Sequence, residues 1–447
     1  MLNFNTLKKN LITKEVDIAP LVIFRILFSV LMLGSLLRFW LNGWIYDFYI
    51  MPKMHFKYFG FEWVEPLRVS GMYILFGVAI AATIFMMVGL FYRIASVVFF
   101  LSFTYIELID KTTYLNHYYF ISLMALLMIF LPAHRFFSFD AKRNSNIQSR
   151  KIQAWSINVL KLQLGLVYFY AGIAKLNYDW LVNAQPLKMW LPVHAAKPVI
   201  GFLFKYTWIA YVFSWFGALY DLLIPFLLLS KKFRPFAYAA VIAFHALTYW
   251  LFPIGMFPFI MICSTLIFFS EDFHKKLLFK LEQLFNWNPQ ILNSNPAIVS
   301  QPLLSVLALF FIFQVVFPFR YLAYEGPLFW HEQGYRFGWR VMLMEKAGSA
   351  FFYATDKATK QKVEIRNCDY LTAGQEKMMA TQPDMIVQFA NYIAEDLKTK
   401  GWENPEVTSE VYVTLNGSGS RPFIDPTINL AELEDSWQEK TWILPFK

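Results

Sequence analysis

Three ionisable residues in otherwise apolar surroundings could do chemistry here: His117, Lys175 and His245. The stretch YFYAGIAKLNYDW, Tyr168 to Trp180, closes a long hydrophobic run with Lys175, placed where that run meets polar sequence. At the edge of a membrane span a lysine is ordinarily a snorkelling anchor, its ammonium reaching the headgroups along an apolar stem. Here Tyr168, Tyr170, Asn177, Tyr178 and Asp179 offer it hydrogen-bonding neighbours, and Gly172 lets another helix come close. Desolvation disfavours an ammonium, so a lysine drawn into a pocket can serve as a neutral-amine base. Histidines beside it can donate hydrogen bonds to a developing anion or exchange protons near neutral pH. Taken singly, His117 also reads as an interfacial residue and His245 as a satisfied core residue. None of the three has metal-ligand spacing such as HxxxH, and no GxSxG elbow, P-loop or GxGxxG fingerprint occurs. Zinc, α/β-hydrolase, nucleotide-driven and Rossmann chemistry are thereby disfavoured.

The elements that position these residues are set by a membrane composition. Of 447 residues 57% are hydrophobic and only 16% charged, against about a quarter charged in soluble proteins. Aromatic residues make up 19%, which suits interfacial belts and flat-ligand pockets. The formal charge of +9 sits in short loops between apolar runs, a topology signal and not a nucleic-acid stripe. With Cys263 in a predicted span and Cys368 in the tail, no disulfide is expected. The first apolar run is long and lacks a small-residue cleavage site, so it reads as a span and not as a signal peptide.

Hydropathy predicts about nine crossings: roughly 18–41, 70–90, 94–109, 117–131, 155–176, 207–229, 236–251, 255–269 and 303–317. The opening with Lys8, Lys9 and Lys14, the loop with Arg135, Lys142, Arg143, Arg150 and Lys151, and Lys231-Lys232-Phe233-Arg234 are basic and predicted cytoplasmic. This count puts the N-terminus inside and the tail outside. It also brings His117, starting the fourth span, Lys175, ending the fifth, and His245, late in the seventh, to one depth near the outer face. Arg25 and Asp221 lie within spans, where an ion pair between them would hold helices together. The segment EDFHKKLLFKLEQLF from Glu271 predicts an amphipathic helix along the inner surface. From about residue 319 to 447 the composition is that of a soluble α+β domain. Strands are expected in RFGWRVML, VEIRNC and EVYVTLNG, and a helix in PDMIVQFANYIAEDLKTK. The expected architecture is an all-α polytopic bundle over 1–318 with a small outer α+β domain.

Several ordered stretches carry a family resemblance: KTTYLNHYYF (Lys111 to Phe120), YFYAGIAKLNYDW, FHALTYWLFPIGMF (Phe244 to Phe257), GYRFGWRVMLMEK (Gly334 to Lys346) and FIDPTINL (Phe423 to Leu430). The chain resembles the vitamin K-dependent gamma-glutamyl carboxylases and their bacterial relatives, the horizontally transferred transmembrane (HTTM) proteins. The resemblance implies a reduced vitamin K- or menaquinone-type naphthohydroquinone, oxygen, carbon dioxide and a glutamyl side chain of a peptide as substrates. It implies that the lysine matching Lys175 deprotonates the hydroquinone, after which oxygen converts it to a base able to remove the glutamate γ-proton. The carbanion adds carbon dioxide and the quinone leaves as its epoxide. His117 is implied in assisting carboxylation with Asn116 beside it, and His245 matches another family histidine. Phe257 of the GMF turn, Trp339 and Met342 match positions expected near the quinone. Animal carboxylases have two adjacent lysines where this chain has Ala174-Lys175, and they carry a long extension after the FIDP-like segment. A bacterial cytoplasmic membrane is therefore expected.

A second reading from another class keeps the fold without the catalysis: a membrane protein that binds, exports or protects against a lipid, quinone or peptide, with Lys175, Arg25 and Asp221 as structural charges. Geometry separates the two. The enzyme needs Lys175 and His117 on one enclosed cavity of about 300 Å³ or more.

Overall fold

The computed structural model describes residues 9–287 and 298–446. Lys8 of the basic opening lies outside the described residues. All nine apolar runs are helical: α1 (Ala19–Leu41), α2 (Val69–Val88), α3 (Tyr92–Leu108), α4 (Asn116–Phe130), α5 (Trp155–Ala174), α6 (Thr207–Leu229), α7 (Arg234–Leu251), α8 (Phe257–Thr265) and, after α9 (Glu271–Leu284), α10 (Gln301–Val316). The count of nine crossings is not confirmed. Among the described residues five helices are long and apolar enough to cross a membrane: α1, α2, α5, α6 and Gln301–Ala323. A sixth is reached only if Phe257–Phe268 and α9, which meet at 114°, form one broken span. For α3 and α4 the reason is length. At 1.5 Å per residue, α3 with 17 residues and α4 with 15 reach about 25 and 22 Å, short of a hydrocarbon core of about 30 Å. The polar-faced α9 begins at a Ser270 cap with Glu271 and Asp272 in its first turn, as its sequence predicts.

Arg25 and Asp221 do not form the ion pair expected of them. Arg25 is fully buried, and its guanidinium donates 2.6 Å hydrogen bonds to the carbonyls of Ala133 and Phe137, tying α1 to the basic loop. Gly89, at φ +67°, leaves room for this, since a Cβ there would stand 2.9 Å from Arg25 Nη1 and 2.4 Å from Ser138 Cβ. Strands β1 (Glu15–Asp17) and β2 (Lys151–Gln153) pair antiparallel just before α1 and α5 and fix where those helices begin.

The C-terminal part holds a four-stranded antiparallel sheet in the order β4-β3-β5-β6: β3 (Lys346–Thr355), β4 (Lys362–Ile365), β5 (Glu406–Leu415) and β6 (Arg421–Pro422). Helix α11 (Pro383–Thr399) buries Met385, Ile386, Phe389, Ala390 and Ile393 against this sheet. VEIRNC and EVYVTLNG supply β4 and β5 as expected, but RFGWRVML is no strand. It runs as an irregular strap with Phe337, Trp339 and Met342 at φ +59°, +58° and +52°, a region that non-glycine residues occupy only when held there.

Buried charges hold this part to the helices. Asp384, at the start of α11, accepts from Lys111 Nζ at 2.5 Å and Arg336 Nη1 at 2.6 Å. Burial opposes ionisation of Asp384, yet Arg336 and Lys111 outweigh it and hold the carboxyl well below the usual carboxylate range. Lys111 also reaches Asp435 at 3.2 Å, and Asp110 joins His55 at 3.1 Å and Gln375 at 3.0 Å. One carboxylate thus ties the turn before α4 to the strap.

Candidate functional site

Lys175 follows the last residue of α5, and the local sequence keeps it inside the protein. Asn177 caps the next short helix, accepting from Trp180 N at 2.9 Å and donating to the Ala174 carbonyl at 2.9 Å. Trp180 anchors that helix on α6 through Nε1 to the Ser214 carbonyl, also 2.9 Å. Side chains on a helix lean toward its N-terminus, so the lysine stem turns back into the bundle. It is only 6% exposed, which removes the snorkelling anchor. Nζ donates to Asp221 Oδ2 at 2.6 Å and to the Ala171 carbonyl at 3.3 Å, with the Trp180 ring 5.5 Å away.

Gly172 makes this pairing possible. A Cβ there would lie 2.7 Å from both the backbone N and Cγ of Leu222, so only glycine lets α5 touch α6 next to Asp221. Asp221 stands 14 residues into α6, about 21 Å from its first residue, so the pair is deep within the bundle.

Beside the pair lies a cavity of about 200 Å³, smaller than the size expected from sequence. Lys175, His117 and His245 all line it, although they come from α5, α4 and α7. Asn116, Phe257, Trp339 and Met342 line it too, so the seven residues singled out from sequence converge on one cavity. Phe257 sits between the histidines, its ring centroid 5.6 Å from that of His117 and 5.5 Å from that of His245. The His117 ring has no hydrogen bond to protein among the described residues. His245 Nε2 lies 3.2 Å from the Tyr168 hydroxyl, itself 3.3 Å from Thr265 Oγ1, while its buried Nδ1 has no partner among the described residues.

The strap closes the cavity. Trp339 stacks on Tyr119 at 4.9 Å and 27°, and its buried Nε1 also lacks a partner among the described residues. Asn116 holds the strap: its Nδ2 donates to the Arg340 carbonyl at 2.9 Å, and its Oδ1 accepts from the Tyr114 hydroxyl at 3.1 Å. That hydroxyl accepts from Phe337 N at 2.8 Å, and Arg320 donates to the Arg336 carbonyl. These bonds over-determine the left-handed residues. Asn116 is therefore engaged in supporting the wall as well as lining it. A larger concavity, about 880 Å³ between residues 49–69 and α11, contains none of the seven.

The residue that sequence reasoning left out of the site is Asp221. A carboxylate within an apolar run was the signal for it, but its partner was not legible. Tyr170, Asn177 and Asp179, by contrast, have structural duties: Tyr170 bonds the Val315 carbonyl at 2.6 Å, and Asp179 accepts from Asn183 and Asn416 at 3.0 Å each.

Comparison with known families agrees with this arrangement. A model of the HTTM domain matches residues 13–273, more than half the chain, and one of the vitamin K-dependent gamma-carboxylase lumenal domain matches 299–447. The chain belongs to the gamma-carboxylase family. No solved structure matches it. This family member is a gamma-carboxylase-like integral membrane protein in which the cavity is walled by both matched regions. His117, Lys175 and His245 fall in the HTTM part, and Trp339 and Met342 in the lumenal-type part.

Proposed function

We propose that this protein is a membrane carboxylase that couples oxygen-driven oxidation of a reduced vitamin K-type naphthoquinone to addition of carbon dioxide to glutamyl side chains. The observation that carries the reading is the convergence of Lys175, His117 and His245 on one apolar cavity. The lining suits a naphthohydroquinone ring, with aromatic surfaces at Phe257 and Trp339 for its faces. The unpartnered Nδ1 of His245 and Nε1 of Trp339 offer hydrogen bonds to its oxygens. At about 200 Å³ the cavity falls short of the ~300 Å³ expected of the enzyme, so in this reading its wall gives way as the ring enters. When bound, such a ring supplies on oxidation the strong base that a glutamate γ-proton requires and no side chain can provide near neutral pH.

In this reading Lys175 Nζ takes the proton from a ring hydroxyl, and His117 and His245 hold or pass protons at the cavity wall. Phe257, Trp339 and Met342 orient the ring and exclude water, which would quench strongly basic species. The three basic segments support a cytoplasmic N-terminus, with the sheet-bearing part and the cavity toward the outer side of a bacterial cytoplasmic membrane. The peptide bearing the glutamate is taken from that side.

The non-catalytic reading draws on the same Lys175–Asp221 pair, as a tie between helices. Purified protein given reduced menaquinone or vitamin K separates the two. Oxygen-dependent epoxide is expected from the native chain and its loss from Lys175→Ala. Equal epoxide in both samples removes Lys175 as the base, and none from the native chain removes the enzyme reading.

A further inference from the structure

The Lys175–Asp221 contact changes what Lys175 can do. An ammonium bound to a carboxylate has no lone pair, so it accepts a proton only as it gives one up. Its three donors are distributed unequally: one goes to Asp221 Oδ2 at 2.6 Å, one to the Ala171 carbonyl at 3.3 Å, and the third has no protein partner among the described residues. Lys175 and Asp221 both line the cavity, each about 95% buried.

Few other titratable groups face the pair. His117 comes from α4, Tyr168 from α5 and His245 from α7, the last two bonded to each other. Tyr220 precedes Asp221 on α6, and the Trp180 ring faces Nζ without a charge. Asp221 is the sole carboxylate among the described residues lining the cavity. The pair is thus one cation and one anion, set at hydrogen-bond length by the close approach at Gly172.

We propose that Asp221 is the terminal acceptor of the proton that Lys175 removes, and that it positions Nζ to relay it. This rests on the reading that the cavity takes a phenolic ring. The proton leaving a ring hydroxyl forms a new N–H bond on Nζ as another N–H proton passes to Oδ2. One O–H bond breaks and one forms on Asp221, with no electron transferred. A neutral hydroxyl beside a neutral pair becomes a phenolate beside an ammonium and a carboxylic acid, so the total charge stays zero. Lys175 keeps its positive charge where the phenolate needs it. Were Asp221 to stay ionised, two anions would share one ammonium in an apolar site, an arrangement that like-charge repulsion opposes.

The test uses the full chain in detergent or nanodiscs, as native protein, Asp221→Asn and Asp221→Glu. The first measurement is carbamylation of Lys175 by cyanate at one pH, read by peptide mass spectrometry. Cyanate reacts with the free amine, and in Asp221→Asn no carboxylate offsets desolvation of the ammonium. Labelling there should rise about tenfold or more, with Asp221→Glu close to native. The second is epoxide formation from reduced menaquinone. Asp221→Asn should lose about 10²-fold or more, because Nζ loses both the carboxylate that positions it and the group that takes the proton onward, and Asp221→Glu should recover part of the rate. Native labelling in Asp221→Asn, or native epoxide formation, overturns the proposal. A purely structural Asp221 would lower the yield of folded protein without raising the reactivity of this one lysine. Native protein that makes no epoxide refutes the proposed function instead, and the cyanate measurement still decides the pairing.

Discussion

Replacing Gly172 with alanine adds one methyl group at the point where α5 touches α6. The new Cβ would stand 2.7 Å from both Leu222 N and Leu222 Cγ, whereas comfortable carbon contacts lie at about 3.5–4.0 Å. Because one of those atoms is backbone, the helices must part by roughly 1 Å. Lys175 lies three residues beyond Gly172, and Asp221 is bonded to Leu222. A shift of that size stretches their 2.6 Å contact toward the ~3.5 Å limit of a hydrogen bond. Stability changes little, since alanine is better than glycine in a helix by about 1 kcal/mol and overpacking costs about 1–3 kcal/mol. The net loss is ~0–2 kcal/mol. Turnover should fall about 10²-fold, the usual effect of displacing reacting groups by 1 Å. Thermal unfolding in detergent, cyanate labelling of Lys175 and epoxide formation together read this out. Native labelling and turnover with an unchanged melting temperature would refute the account of Gly172.

Asp384→Asn should destabilise the protein by about 3 kcal/mol or more at neutral pH, because it leaves Lys111 and Arg336 buried against each other. The native carboxyl lies below its unfolded value of about 3.9, so its contribution is present above that value and is lost as pH falls through the depressed folded one. Native and variant unfolding curves should therefore converge only well below pH 4, and a difference already gone at pH 5 would contradict the clamp. Tyr114→Phe removes the hydroxyl that accepts from Phe337 N and donates to Asn116, leaving a backbone N–H unpaired at a cost of about 1–3 kcal/mol. Hydrogen exchange should quicken across residues 335–342 while β3 and β5 stay protected. Unchanged exchange in the strap would show that its left-handed residues hold themselves.

Where hydrophobic periodicity covered a whole element, the sequence was enough. The nine apolar runs are helices, the charged face of α9 was visible, and PDMIVQFANYIAEDLKTK, VEIRNC and EVYVTLNG have the structure their patterns predict. His117, Lys175 and His245, expected at one depth, line one cavity. Crossings stay unconfirmed where helices run short or bend, as at α3, α4 and Phe257–Phe268, because hydropathy measures apolarity and not reach. In RFGWRVML a period of two imitated a strand. The backbone is instead held in the left-handed region by Tyr114, Asn116 and Arg320, residues distant in sequence.

The site divides in the same way. Residue type alone marked Lys175 as an unusual lysine and Asp221 as a costly acid within an apolar helix. Which cation Asp221 would meet depended on helix register, and that was decided at Gly172, where the absent Cβ lets α5 and α6 close. Arg25 was as plausible a partner by composition, but carbonyls of the basic loop already occupy it. A sequence determines which groups must find partners, because burying them otherwise is too costly. Only the packed structure decides which partner each one meets.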